Sequence, residues 1–396
     1  MKYLSLAAAA SIALAAVPAV HAQNYNQVNL VANAASTSTI KGDTVVVDPN
    51  LVDPWGLSRS ATSPWWIADT FSGKSTLYDG AGAITPLVVT VPKGAKSSFA
   101  AGTPTGVIVN PTTTEFLLKT GDPASFIFDS LDGTISGWNP NVGLATGAKA
   151  PSTNAVTVFT STAKGAQYTG LTSALVGTKT YLYAANYGAG TVDVLNGSFQ
   201  PVTLPAVPDG DAFNPGTTAP FTDEFLPAGY SPFNVQAIGN NVVVAYAAAG
   251  FAGGPGSGYV DIYSSTGVLL QRLEHTDWLN LPWGIALAPN DFGTYSHDLL
   301  IGEFGSGNIT VFNPTTGEFI AQLKNANNQT IAIDGLWSIT FGNPAPKNAT
   351  TASANYDATG APAAELYFTA GPNGGKDGLF GYLVPFAAQN TAGNNQ

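Results

Sequence analysis

The sequence contains no cysteine and a single methionine in 396 residues. That excludes disulfides, thiolate metal sites and cysteine nucleophiles together, so the fold must be held by packing and hydrogen bonding alone. Charge is scarce too. Only 10% of residues are charged, against about 25% in ordinary soluble domains. The 14 Lys and Arg are outnumbered by 25 Asp and Glu, giving a net charge of −11. Nucleic acid is therefore excluded as a partner, because phosphate neutralisation needs clustered basic residues. Histidine occurs three times, at His21, His275 and His297, too sparse for a transition-metal cluster. Helical periodicity is nearly absent, and after residue 22 no apolar run approaches the roughly 18 residues of a membrane span.

What the chain does hold is aromatic and turn-forming: 20 Phe, 15 Tyr and 7 Trp with 44 Gly and 27 Pro. Such a composition supports a large core made of many short strands joined by tight turns. Residues 1–22 carry Lys2, an apolar stretch and Val20-His21-Ala22, the pattern of a secretory signal cleaved after Ala22. The sequence thus predicts a secreted or periplasmic protein, with one domain over 23–386 and a polar tail over 387–396.

A unit recurs along the chain: Pro-x-Gly-apolar, a short strand, a small-residue turn, then a strand ending in an aromatic. The clearest copies open at Pro54-Trp55-Gly56-Leu57 and Pro282-Trp283-Gly284-Ile285. They continue as WWIADTFSGKSTLYD (65–79) and DLLIGEFGSGNITVF (298–312). Weaker copies open at Pro104, Tyr168, Pro232 and Leu336, the second of the six placing its next strand at EFLLKT (115–120). With Gly56, Gly106, Gly170, Asn234, Gly284 and Ser338 equivalent, the spacings are 50, 64, 64, 50 and 54 residues. Four short strands fit in each unit, which predicts an all-β, six-bladed β-propeller. A parallel β-helix has repeats about half as long. The sixth unit supplies only three strands, at 336–341, 365–369 and 378–384, while an orphan strand at 27–32 precedes the first. The orphan is expected to complete the last blade and close the ring.

These repeats resemble the NHL type. The opening VNLVANAA (28–35) followed by DPNLVDPWGLSRSATSPWWIADTFSGKSTLYDG (48–80) is similar to a family of secreted proteins of bacteria and some fungi that brings no established activity with it. The resemblance spans essentially the whole chain after the signal. It implies the propeller; six-bladed propellers include gluconolactonase-type and paraoxonase-type hydrolases as well as pure binding modules, and fold does not choose among them.

If each Pro-x-Gly opens an innermost strand, the loops entering it and the turns after the second strand share the channel-mouth face. That gathers Asp53, Trp55, Trp283, Asp334 and Trp337, with His275 as the histidine placed for acid–base work. The three tryptophans either stack on a flat ligand or pack between blades. Asp69, Asn186 and Glu303 end second strands and offer the hard oxygen donors that Ca²⁺ takes, or serve as turn-formers bonded to their own backbone. Their equivalents in the other units are read as Thr120, Ala247 and Ala370. No G-x-S-x-G elbow is present, and Gly254–Gly258 lacks a phosphate-binding lysine. The Pro-rich stretch 205–230, with Asp209, Asp211, Asp223 and Glu224, either covers the site or connects two blades. The function expected is an exported binding module, monomeric, taking a small molecule, a glycan or an envelope or extracellular protein. The alternative is a Ca-dependent hydrolase.

Overall fold

A computed structural model describes residues 24–38, 44–95, 97–208, 216–342 and 365–386. The signal segment, the tail after 386, and Asp209 and Asp211 lie outside them. Six antiparallel sheets follow one another along the chain, each running outward from an innermost strand. The innermost strands are Pro54–Ser58, Pro104–Val109, Tyr168–Val176, Tyr230–Ile238, Pro282–Leu287 and Leu336–Phe341, in blades 1 to 6. The six-bladed β-propeller read from the repeats is therefore the architecture of the protein.

Why the unit is Pro-x-Gly is visible at the axis, where neighbouring innermost strands nearly touch. A Cβ on Gly56 would lie 2.6 Å from the carbonyl oxygen of Thr105, and one on Gly284 would lie 2.7 Å from that of Trp337. Both obstacles are backbone and cannot rotate away. Side chains also tie neighbouring blades together. Thr70 Oγ1 donates to Pro104 O (2.8 Å), Asn234 Nδ2 to Trp283 O (2.6 Å) and Thr369 Oγ1 to Trp55 O (2.6 Å), while Thr172 Oγ1 accepts from Ala237 N (3.0 Å). Between blades the side chains pack in apolar layers; that of blades 3 and 4 holds Tyr183, Val194, Val244 and Tyr263.

The ring closes as expected. Tyr25–Ala32 pairs antiparallel with Leu379–Pro385, in a register running from Tyr25 opposite Pro385 to Ala32 opposite Leu379. Val46–Val47 adds a short parallel fifth strand that the sequence does not announce. Tyr25 and Val31 are fully buried, so the borrowed strand is core rather than trim.

Two local expectations are corrected. EFLLKT is not a strand. Phe116 and Leu118 are buried among Tyr168, Leu171, Leu182 and Phe199, so this apolar run is a loop wedged between blades 2 and 3. The second strand of blade 2 is Phe126–Ser130, and Ser130, not Thr120, lies opposite Pro104 as Asp69 lies opposite Pro54. Blade 3 has three strands, and the segment after it forms a separate hairpin, Val207–Pro208 with Thr217–Thr218. Beyond the hairpin, Phe221 and Leu226 pack into the layer between blades 3 and 4. Arg272 fastens them there. Its Nε donates to Asp261 (2.9 Å), and its other nitrogens bond Asp223 and the carbonyl of Phe225. The described part of 205–230 is thus a connector.

Gly56→Ala is expected to destabilise the protein by about 1–3 kcal/mol, the usual cost of overpacking. A lower urea midpoint with an unchanged slope is the result that checks it.

Candidate functional site

The loop entering each innermost strand brings the residue just before its Gly56-equivalent position to the mouth of the channel. In blades 1, 5 and 6 this residue is Trp55, Trp283 and Trp337, and the residue two positions before it has a left-handed backbone: Asp53 (φ 49), Leu281 (φ 53) and Gly335 (φ 67). The shared turn delivers three indoles to one place. Trp55 and Trp337 stack with centroids 3.6 Å apart, and Trp283 meets them edge-on at 84° and 81°. Phe233 from blade 4 adds a further edge, and Phe304 from blade 5 stacks on Trp337 at 4.0 Å. All three tryptophans are buried. They pack on one another and floor the mouth.

Each indole N–H has a partner. Trp283 Nε1 reaches across the axis to the carbonyl of Thr169 (2.8 Å). Trp55 and Trp337 share a single carboxylate, donating to Asp53 Oδ2 (2.8 Å) and Oδ1 (3.0 Å). Burial pushes the Asp53 carboxyl up to about 6, against the opposing pull of the two indole bonds. Beneath the floor the axis is narrow, with about 20 Å³ open to the centre of a water molecule, lined by Gly56, Gly106, Asn234, Gln236, Ser338 and Trp283. That is room for about one water.

The other expected site residues lie apart from this group. Asp334 is exposed on the rim, and its carboxylate accepts the N–H of Asn373 (2.9 Å). His275 lies between blades 4 and 5, stacked on Tyr259 at 4.0 Å, its Nε2 bonded to the carbonyl of Gly256 (3.0 Å). Asp69, Asn186 and Glu303 are buried at the ends of second strands in blades 1, 3 and 5. Asp69 Oδ2 accepts Thr76 N (3.0 Å); Asn186 Oδ1 accepts Gln167 N (3.1 Å) and Ala189 N (3.2 Å); Glu303 Oε2 accepts Asn280 N (2.8 Å). Asp69 Oδ1 and Glu303 Oε1 make no hydrogen bond of ordinary geometry, although the Thr76 and Thr310 hydroxyls lie beside the two carboxyls and favour their charged forms. Burial raises both carboxyls, that of Glu303 to about 8. Among the described residues, no three or more His, Asp or Glu side chains gather as a metal-binding group.

Two features escape the sequence reading. Asp129 lies one residue before its strand ends and turns inward between blades 2 and 3, where its Oδ1 accepts from Thr105 Oγ1 (2.8 Å) and from Gly106 N. The mouth's exposed aromatics come from the turns, not from Pro-x-Gly. Phe71 is 58% and Phe251 40% exposed, and Phe251 stacks on Tyr187 at 4.8 Å. The alternation of aromatic with glycine in TFSG, YGAG, AGFAGG and FGSGN was the available signal. Mouth turns 70–73, 187–190, 249–257 and 304–308 contain no charged residue, whereas their counterparts in blades 2 and 6, 131–133 and 371–378, carry Asp132, Lys376 and Asp377.

No protein-family model matches the chain. It is similar to two uncharacterized proteins of Acanthamoeba polyphaga mimivirus. Protein R640 is 27% identical over 319 residues, 76% of this chain and 53% of R640; protein R648 is 27% identical over 303 residues, 73% of this chain and 68% of R648. The chain thus spans about half the length of the first relative. Among solved structures, a streptogramin B lyase has a TM-score of 0.47 at 12% identity, over 92% of this chain and 98% of that one. A glucose dehydrogenase has 0.48 at 14%, over 84% and 96%. Nothing about activity passes to this protein from those likenesses. Among the described residues, no helix is long and apolar enough to cross a membrane.

Stability should fall as pH rises. Burial pushes Asp129 up to about 6 and Asp261 to about 7, the latter despite Arg272. Unfolded, both return to about 3.9, so the folded state holds more protons between the two values. Their stabilising contribution is full below about pH 4 and is lost as pH climbs through 6 and 7. Calorimetry at constant ionic strength should give a higher Tm at pH 5 than at pH 8, with a shallower slope for Asp129→Asn, which keeps an acceptor for Gly106. A Tm flat or rising over that range contradicts the assignment.

Proposed function

We propose that the protein is an exported binding module that takes an uncharged ligand on its channel-mouth face. One observation carries the reading: Phe71 and Phe251 are exposed on glycine-rich, uncharged turns around a closed tryptophan floor. Aromatic faces with backbone N–H and C=O groups at hand suit ligands that present apolar faces and hydroxyls together. Neutral glycans are the first class to test. The closed floor confines contact to the surface, as in recognition rather than in the deep enclosure of a reacting group.

A second reading, calcium-assisted hydrolysis of the lactonase type, draws on the buried carboxylate oxygens Asp69 Oδ1 and Glu303 Oε1, which make no hydrogen bond of ordinary geometry. Bound calcium in protein purified without chelator, together with turnover of a simple lactone, is the result that would favour it.

On a neutral-glycan array the protein should retain at least one ligand. Phe71→Ala and Phe251→Ala should each weaken that binding about tenfold, the equivalent of ~1.4 kcal/mol. Retention unchanged in the double variant places the ligand elsewhere and overturns the reading.

A further inference from the structure

Asp53 lies at the seam where the ring closes. It belongs to the loop entering blade 1, while Trp337 belongs to the innermost strand of blade 6, so one carboxylate spans the first and last blades. Its backbone is engaged as well. Asp53 N donates to Asp377 O (3.1 Å), and its carbonyl accepts Thr70 N (3.1 Å). The turn opposite is shaped around the carboxylate, since a Cβ on Gly371 would collide with Oδ1 and one on Gly375 would lie 3.0 Å from it. Side-chain bonds, strained φ and glycine cradle all converge on this one group.

The charged groups on the packed elements are Asp48 on the entering loop, Asp69 and Lys74 on either side of turn 70–73, with Lys74 Nζ bonded to Asn50 Oδ1 (2.6 Å), Glu303 behind Phe304, Asp334 before the Leu336–Phe341 strand, and Lys376 and Asp377 in the opposite turn. None forms an ion pair with Asp53. The carboxylate therefore has two indole N–H groups to replace its water and no cation to offset its charge.

We propose that Asp53 is a proton-operated latch on the mouth: protonated, it lets the tryptophan floor and the seam between blades 1 and 6 sit tight; ionised, it loosens them. The sign follows from linkage. Closed and buried, the carboxyl is pushed up to about 6. Opened to water, it returns to about 3.9. The closed floor thus holds the proton more tightly, and ionisation shifts the balance toward opening by about a hundredfold. While the closed floor predominates, the opened population grows as the closed carboxyl ionises, reaching half its rise near pH 6 and the rest within about a unit above it. This inference goes beyond the binding reading and does not need it.

The test uses the tryptophans themselves. Near-UV circular dichroism, with acrylamide quenching of tryptophan emission, is followed from pH 4.5 to 7.5 on the full chain without any ligand. The expected result is one transition centred near pH 6, with greater quenching on its alkaline side. Asp53→Asn should abolish it. Trp337→Phe removes one N–H that favours the ionised form, and should move the midpoint upward by about half a unit to one unit. A wild-type signal flat across the range, or a transition that persists unshifted in Asp53→Asn, overturns the proposal. Should Asp53→Asn fail to fold, an unmoved midpoint in Trp337→Phe overturns it equally.

Discussion

The whole arrangement depends on how near the innermost strands come to one another. Six blades can share an axis this narrow only if their strands meet backbone to backbone, which is why glycine stands at four of the six equivalent positions. Where it does not, the substitute does a specific job: Asn234 bonds the carbonyl of Trp283 across the seam to blade 5. With the strands so close, little space remains beneath the mouth. The residues just above, at the start of each innermost strand, are pressed together and must fill the opening themselves. Three tryptophans and a phenylalanine do so. The floor is thus a geometric result of the glycine contact, and its polar atoms need partners inside protein: one backbone carbonyl and one carboxylate.

Much of this was legible in the sequence because propeller architecture repeats its constraints. Pro-x-Gly marks a place where a Cβ cannot fit, and constraints on backbone approach leave the same trace in every copy. The orphan strand was legible for a related reason: three strands in the last unit and one spare at the start have a single mutual solution. Side-chain destinations were not. EFLLKT reads as a strand because Phe116 and Leu118 are apolar, yet a wedge between blades needs buried groups just as a strand does. Asp129 could not be told from the turn-forming Asp132 three residues on, since both sit near the end of a strand and only the structure separates inward from outward.

The carboxyls divide along the same line. Spacing placed Asp53, Asp69 and Glu303 on one face, but could not say that each is sunk in protein and bonded locally, or that the tryptophans beside Asp53 are its hydrogen-bond donors. The exposed aromatics were missed because repeat analysis looks for sameness, and Phe71 and Phe251 occupy turns of unequal length, 70–73 and 249–257. What the mouth presents to solvent is the variable part of the unit, carried on a repeated frame.

The borrowed strand also sets an order of events. The segment that ends blade 6, Leu379–Pro385, is synthesised some 350 residues after its partner Tyr25–Ala32, so Tyr25–Ala32 must wait, its apolar side chains uncovered, while the five intervening blades are built. Assembly can begin at any hairpin, but the ring becomes a ring in one late step joining the most distant parts of the chain, the slow, long-range kind of contact that leaves strand edges open to misassociation until it is made.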